Sequence, residues 1–281
     1  MSRLGTIPLR RRGTIEALAL LGLALAPCCT AVVSAETDAK AIMAGVYQQD
    51  TSRDATVRAT LDVTDKDGHT VRKRFILRRI GSFGNGKTLV RFTDPPELRG
   101  VALLSINEPG LTDRQWIYTP ATERVRSVSP RERSERFAGS DFTYEDIAER
   151  SLDDFTYKLF PAEDKMENHS TYKVEADPVA PDRSQYKYIY YWVAQDVPSI
   201  LHAEMYGADG MKIREMHASA LRKEAGIWGA RKTEMRTVAD GTKSVLTIDA
   251  VHLNTGLDAS LFTPEALEKN PQEKPGETAN K

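Results

Sequence analysis

Short runs of alternating apolar and polar residues, separated by turn residues, fill most of this chain and restrict its fold more than any other feature. In the first run, residues 55–63, every second side chain is valine, alanine or leucine, which is typical of a strand with one buried face. A glycine-containing turn follows at residues 65–68, and an alternating run returns over residues 71–78. Similar runs continue to residue 253. The pattern predicts about twelve antiparallel strands that pair in sequential order.

Three short segments have helical signals instead. Apolar residues at helical spacing predict an amphipathic helix over residues 39–48. Thr143 and a carboxylate three residues later have the spacing of a capping box, which predicts a helix over residues 143–149. A threonine-proline pair at residues 263–264 predicts a final short helix. Three short helices cannot cover so large a sheet in a fully packed core.

A curved sheet around a cavity resolves this mismatch between sheet and helices. We therefore predict a mainly β fold of the α+β type. A single curved antiparallel sheet forms an incomplete β-barrel, and short helices cover an apolar cavity. Residues 39–48 and 143–149 are expected to lie over the opening of the cavity. The alternative is a structural protein whose sheet encloses a solid core.

The first 35 residues have the composition of an export signal. Four arginines precede an apolar run over residues 17–26, and small residues at positions 33–35 offer a cleavage site after Ala35. The apolar run is shorter than the roughly 20 residues that span a bilayer. A lipoprotein signal is the alternative, because Cys28 stands near the end of the run, but Pro27 before it makes a poor lipobox. We expect an exported, soluble protein.

Removal of this leader would change the chemistry available to the chain. Both cysteines, Cys28 and Cys29, would be lost, and with them any disulfide, thiolate metal site or cysteine nucleophile. The other 246 residues carry 35 basic and 39 acidic side chains, a net charge of −4. This balance argues against nucleic acid as the main partner. Residues 271–281 are polar and are expected to form a disordered tail.

The segment Phe-Ala-Gly-Ser-Asp-Phe-Thr-Tyr-Glu-Asp at residues 137–146 combines three aromatic residues with a helix start. It can form a lid or rim over a cavity, or it can be a capped helix that packs on the sheet. Its carboxylates, Asp141, Glu145 and Asp146, allow an acid–base interpretation. Acidic residues in the first turn of a helix also suit the helix dipole, which favours a structural role.

The strand predicted over residues 185–194 is rich in aromatic residues. Its two faces carry different side chains by alternation: Tyr186, Tyr188, Tyr190 and Trp192 share one face, and Ile189, Tyr191 and Val193 make the other face apolar as well. Core packing is the simpler explanation of these side chains. The functional alternative is that together they line an apolar pocket. From alternation along the strands, we predict that seven side chains contribute to a ligand-binding site: Phe75, Leu77, Phe92, Phe142, Tyr188, Tyr190 and Trp192.

Motifs for catalysis or metal binding do not stand out. The five histidines are spread one to a segment, without the close pairs typical of zinc sites: His69, His169, His202, His217 and His252. The chain has no Gly-x-Ser-x-Gly elbow and no dinucleotide fingerprint, and we expect no phosphate-binding glycine loop. We therefore expect a binding protein rather than an enzyme, with no catalytic residues, metal or cofactor.

Three motifs together carry a family resemblance. They are the segment at residues 137–146, the Tyr-Tyr-Trp-Val strand at residues 190–193, and the closing Leu-Asp-Ala-Ser-Leu-Phe-Thr-Pro at residues 257–264. With the order of the elements, they resemble the outer-membrane lipoprotein-sorting protein family within the LolA/LolB-like superfamily. The resemblance covers residues 36–270 as one domain. It implies an incomplete, strongly curved antiparallel β-barrel that holds acyl chains or other apolar ligands.

The resemblance further implies a periplasmic carrier that binds lipid or lipid-modified (lipoprotein) cargo for transport toward the outer membrane. Its implied partners are the lipid or acylated protein cargo, an inner-membrane transporter and an outer-membrane acceptor. Length and motifs are closer to a less characterised subgroup than to the lipoprotein chaperone itself, so the cargo stays open. The alternative is a regulatory module that senses envelope lipid or stress and binds a membrane signalling partner.

Overall fold

The computed structural model describes residues 31–108, 113–161 and 164–269, with side chains from Ala39 onward. Within these ranges, three α-helices and fourteen strands are connected by hairpins and short 3₁₀ turns. The helices are α1 (Ala31–Tyr47), α2 (Tyr144–Ile147) and α3 (Pro264–Lys269). The strands are β1 (Asp54–Thr64), β2 (Thr70–Ser82), β3 (Asn85–Asp94), β4 (Ala102–Ile106), β5 (Arg114–Thr119), β6 (Arg124–Ser127), β7 (Phe155–Phe160), β8 (Lys165–Met166), β9 (His169–Pro178), β10 (Tyr188–Ala194), β11 (Ile200–Tyr206), β12 (Lys212–Glu224), β13 (Ile227–Thr237) and β14 (Thr242–Leu253).

All fourteen strands belong to one antiparallel sheet. Its order is β6-β5-β4-β3-β2-β1-β14-β13-β12-β11-β10-β9-β7, and the short β8 pairs with β9. The first strand pairs with the last in the middle of the sheet, where Leu61 lies opposite Leu246. The edge strands β6 and β7 are not paired with each other, so the sheet stays open. The predicted mainly β fold with one open antiparallel sheet is confirmed.

The two faces of the sheet are distinguished by side-chain alternation and by what covers them. We call inner the face that carries Ala59 and Phe75, which lie opposite each other on β1 and β2. The residue pairs across the neighbouring strands show that Met235 of β13 and Tyr191 of β10 lie on the same face. The opposite face is called outer.

Helix α1 covers the inner face of the strands near the β7 edge. Its Ala39 and Met43 are fully buried in a cluster with side chains of β7, β9, β10 and β11. The predicted helix over residues 39–48 is therefore present, although α1 starts earlier, at Ala31, and ends at Tyr47. This part of the inner face is filled by the protein's own side chains.

Residues 128–154, which we call the crossing segment, connect β6 at one edge of the sheet to β7 at the other. The segment contains α2, whose N-cap is Thr143. The Thr143 hydroxyl accepts a hydrogen bond from Asp146 N (3.3 Å), and the Asp146 carboxylate accepts one from Thr143 N (2.9 Å). The predicted capping box is confirmed, but the helix is shorter than expected because Ala148 already has extended backbone geometry.

The outer face of β3–β6 is covered by the C-terminal part of the chain. Phe262 and Leu267 are fully buried there against Leu89 and Leu104. The Thr263 hydroxyl accepts a hydrogen bond from Ala266 N (3.2 Å) at the start of α3, so the predicted final helix is present with its cap.

Candidate functional site

An apolar cavity of about 220 Å³ opens on the inner face between β2, β1, β14 and β13. Val57 lies opposite both Leu77 and Val251, and Ala55 lies opposite Leu253. The cavity forms because alternation in three adjacent strands brings apolar side chains into register. Neither α1 nor the crossing segment contributes to its lining, so this part of the inner face stays uncovered.

Gly229 of β13 makes room in the cavity. It lies on the same strand face as Arg231, two residues further on, and both residues line the cavity. A Cβ atom added at Gly229 would meet no other atom within 4 Å. A larger side chain at this position would therefore project into open space rather than into packed atoms.

Three arginines lie around the cavity: Arg79, Arg222 and Arg231. The Arg79 guanidinium donates to the Asp50 carboxylate at 2.7 Å, and Arg231 forms an ion pair with Glu224. Arg222 has neither an ion-pair nor a hydrogen-bond partner among the described residues. The apolar lining is thus bordered by a net positive charge.

The inner face of β2 and β3 beside the cavity is covered by aromatic packing. Phe75 and Phe92 meet edge to face with ring centroids 5.7 Å apart, and Phe137 of the crossing segment packs on Phe92 at 5.5 Å. Phe92 is only 1% exposed. Phe142 packs instead against the cluster under α1. Of these predicted site residues, Phe75 and Phe92 therefore lie in the core beside the cavity, and Phe142 lies elsewhere in the core.

The three aromatic residues predicted on β10 lie on the outer face. On the inner face, Tyr191 pairs with Ala203, and this buried residue gives the strand its core contacts. Tyr188, Tyr190 and Trp192 alternate to the other side, where Tyr188 stacks on Tyr206 with centroids 4.6 Å apart. The seven predicted side chains are thus not brought to one place, and only Leu77 lines the apolar cavity. Their ligand contacts stay a prediction.

Asp141 fixes the crossing segment to the inner face. Its side chain is fully buried and accepts hydrogen bonds from Thr237 Oγ1 and Ser244 Oγ, both at 2.7 Å, and from Thr242 Oγ1. The Ser244 hydroxyl accepts in turn from Asp141 N at 2.9 Å. These donors lie on β13 and β14, in the middle of the sheet.

Asp146 continues this polar network. Its carboxylate accepts from Arg214 Nη1 (2.9 Å) and from the Tyr186 hydroxyl (2.7 Å), and Arg150 lies at 3.4 Å. The neighbouring carboxylate of Glu145 accepts from Ser184 Oγ at 2.6 Å. The carboxylates of the acid–base interpretation are thus held by hydrogen-bond donors, as buried structural carboxylates are.

A second, polar cavity of about 390 Å³ lies where the crossing segment reaches β7. The Asp113 carboxylate lines it with neither oxygen hydrogen-bonded, since Arg133 is 4.0 Å away. Burial, together with the charges of Glu149 and Asp154, raises the pKa of Asp113 to about 7, although the charge of Arg133 opposes the shift. Burial likewise raises the pKa of Glu149.

Although no phosphate-binding glycine loop is expected from the sequence, residues 81–88, Gly-Ser-Phe-Gly-Asn-Gly-Lys-Thr, match the letters of one. They form the hairpin between β2 and β3, and Ser82 pairs with Asn85. Lys87 and Thr88 lie within β3 rather than at the start of a helix. The strand–loop–helix context that such a loop needs is therefore missing here.

Two groups of described side chains place possible metal ligands close together. Asp65, Asp67 and His69 are exposed at the β1–β2 turn, where the Asp65 carboxylate accepts from the backbone N of the other two residues. His202 with Glu204 and Glu215 forms the second group, on the outer face. Histidines that are separate in sequence are thus paired by the sheet.

A family model described as an uncharacterized protein matches residues 84–269, about two thirds of the chain. The chain belongs to this family. Among curated proteins, none matches the sequence.

Solved structures with this fold include proteins from three bacteria. An outer membrane lipoprotein-sorting protein domain from Vibrio parahaemolyticus is 21% identical with a TM-score of 0.78, and 83% of this chain and 99% of that chain are covered. A DUF1329 family protein from Desulfovibrio piger is 23% identical with a TM-score of 0.79 and the same two coverages. A LolA superfamily protein from Nitrosomonas europaea is 18% identical with a TM-score of 0.65, covering 80% and 97%. The predicted resemblance to the outer-membrane lipoprotein-sorting proteins and the LolA-like fold is confirmed.

None of the helices in the described ranges is sufficiently long and apolar to span a membrane.

Proposed function

We propose that this protein is a periplasmic carrier that binds an acyl chain, of a lipid or of a lipid-modified protein, in the apolar cavity on the inner face. The observation that carries the proposal is the uncovered strip of apolar side chains between β2 and β13, with open space above Gly229. The likeness to a lipoprotein-sorting protein domain supports the same class of ligand. The proposed transport toward the outer membrane, with a membrane transporter and an acceptor, rests on the family resemblance.

The size of the cavity suits part of an acyl chain. Its volume of about 220 Å³ is somewhat below the range of about 300–1,000 Å³ for pockets that enclose whole small molecules. Each buried methylene contributes about 0.8 kcal/mol, so a segment of a few methylenes binds without any specific polar contact. The arginines beside the cavity suit a carboxylate or phosphate at the head of the ligand. We infer an amphiphile whose chain enters the cavity and whose head group stays near Arg222.

A cavity-filling substitution tests the proposal most directly. In Gly229→Leu, the new side chain occupies the space of three or four methylenes, which weakens binding of a fluorescent fatty acid by roughly tenfold to hundredfold. Gly45→Leu is the matched control, because Gly45 lies exposed on α1 and a Cβ there also meets nothing within 4 Å. Both variants should keep the melting temperature within a few degrees.

The measurement uses delipidated protein and titration of the fluorescent fatty acid. Tight binding by the wild type and the control, with weak binding by Gly229→Leu, is the expected result. A folded, delipidated wild type that binds no fatty acid would refute the carrier proposal. Equal binding by all three proteins would show that the ligand does not bind in this cavity. Mass spectrometry of lipid extracted from protein purified from the periplasm then identifies the natural ligand.

A further inference from the structure

The hairpin of β11 and β12 brings four side chains with metal-binding atoms into two directly opposed pairs. His202 lies opposite His217, and Glu204 lies opposite Glu215. The two residues on each strand are separated by one residue, so all four side chains project from the outer face. The sequence His-x-Glu on one strand and Glu-x-His on the next produces this square of ligands.

The atoms of three of these side chains lie close together. His202 Nε2 is 3.7 Å from Glu215 Oε1 and 3.9 Å from Glu204 Oε1, and one ligand atom of each residue lies within 4.8 Å of the others. Ligands bonded to Zn²⁺ at about 2.0–2.2 Å in a tetrahedral site lie about 3.4 Å from one another. Small side-chain rotations therefore suffice to place an ion between the three groups.

His202 presents one ring nitrogen to both carboxylates. Its side chain is about 10% exposed, and Nε2 faces Glu204 and Glu215. Imidazole nitrogen is a common ligand of Zn²⁺.

The two glutamates need a cation between them. Like charges directly opposite each other on neighbouring strands are destabilising. Lys212 provides that cation: its Nζ lies 2.8 Å from Glu204 Oε1 and 3.6 Å from Glu215 Oε2. Lys212 carries one charge against two, and its side chain is about one-third exposed. A divalent cation can therefore displace it toward water and neutralise both carboxylates.

The group of two histidines and two glutamates opens to solvent through a cavity of about 560 Å³ on the outer face. This cavity is lined by His202, Glu215 and His217, and also by Glu167 of the β8–β9 turn. The Glu167 carboxylate is 3.0 Å from His217 Nε2, so it orients the second histidine toward the cavity. An ion can enter from this side without any change in the sheet.

We propose that His202, Glu204 and Glu215 bind a divalent transition metal ion of the Zn²⁺ type on the outer face of β11 and β12. Imidazole and carboxylate ligands together suit Zn²⁺. This site is on the opposite face from the acyl-chain cavity, and the proposal does not depend on the carrier function.

The test is titration of the full chain, tag-free and treated with a chelator, with Zn²⁺ alone in a calorimeter. We expect one ion per chain with a Kd of about 1 μM or tighter for the wild type. His202→Ala weakens binding at least tenfold, and Glu215→Gln, at a more exposed position, does the same if His202→Ala fails to fold. Lys212→Met removes the competing cation and tightens binding several-fold. Zn²⁺ also raises the melting temperature of the wild type but not of His202→Ala.

His69→Ala is the control, because the exposed turn cluster is the other place where described residues could hold an ion. It should leave the Kd unchanged. No Zn²⁺ binding by the wild type up to about 100 μM would overturn the proposal. Binding that is lost in His69→Ala and unchanged in His202→Ala and Lys212→Met would overturn it as well.

Discussion

Asp141 Oδ1 accepts a hydrogen bond of 2.7 Å from Thr237 Oγ1, although 96 residues separate the two in sequence. Thr237 is the last residue of β13, in the middle of the sheet, whereas Asp141 lies in the connection between the two edge strands. Ser244 of β14 donates to the same carboxylate. The crossing segment is thus fixed at its centre as well as at its two ends.

Replacement of Asp141 should strongly destabilise the fold. In Asp141→Ala, the buried hydroxyl of Ser244 and the half-buried hydroxyl of Thr237 lose their acceptor, which costs roughly 2–4 kcal/mol of unfolding free energy. Urea denaturation measures this difference. Asp153→Ala is the control, because Asp153 is 83% exposed and only pairs with Lys40, so its effect should stay within about 0.5 kcal/mol. Similar losses in both variants would contradict the role of Asp141.

Asp113 should make stability depend on pH. Its pKa is raised to about 7 in the folded chain, against about 3.9 in the unfolded chain. Its contribution to stability is therefore fully present below about pH 4 and is lost as the pH rises through 7. Asp113→Asn cannot ionise, so above pH 7 it should be more stable than the wild type by roughly 2–4 kcal/mol. Denaturation at pH 4 and pH 8 tests this, and a difference that is the same at both values would speak against it.

Substitutions on the two faces of the sheet should have different effects on ligand binding. Leu77→Asp places a charge in the inner-face cavity and should reduce fatty-acid binding more than it lowers the melting temperature. Tyr190→Asp changes the outer face and should leave binding unaffected. The measurement is the same fluorescent titration. Loss of binding only in Tyr190→Asp would place the ligand on the outer aromatic side chains, as part of the seven-residue site predicted from sequence.

The mature chain should begin at Glu36, after cleavage of the export signal behind Ala35. Such cleavage shortens α1 at its start but keeps Ala39 and Met43, which make its buried contacts with the sheet. Residues 1–30 lie outside the described ranges. N-terminal sequencing of protein from the periplasm measures the cleavage site. A chain that begins with acylated Cys28 would instead be an anchored lipoprotein.

Local patterns predicted the elements of this fold well. The alternating runs at residues 55–63 and 71–78 lie within β1 and β2, since alternation and turn residues are local signals. The two-residue strand β8 was missed because it is too short to show alternation. The capping box at Thr143 needs only neighbouring residues, and it was also predictable.

Contacts between distant strands were not predictable in the same way. The apolar cavity depends on the pairing of β1 with β14, which no local signal specifies. Tyr190 was assigned to the ligand site because the strand is apolar on both faces, and only the register shows that Tyr191 faces inward. His202 and His217 are far apart in sequence, yet the turn-forming residues Ala-Asp-Gly at positions 208–210 lie between them. A comparison of the residues that pair across that turn would have placed the two histidines opposite each other.

The pairing of β1 with β14 has a consequence for how the chain is made. Because β14 occupies the centre of the sheet, the ribosome must synthesise residues 242–253 before the two halves can join. Until then, β1 and β13 each expose an unpaired strand border, which is a hazard for aggregation. The contact order of the central joint is high, so its formation should be a slow step in folding. The sheet is thus completed only when β14 is made, and until then its two halves cannot form one continuous sheet.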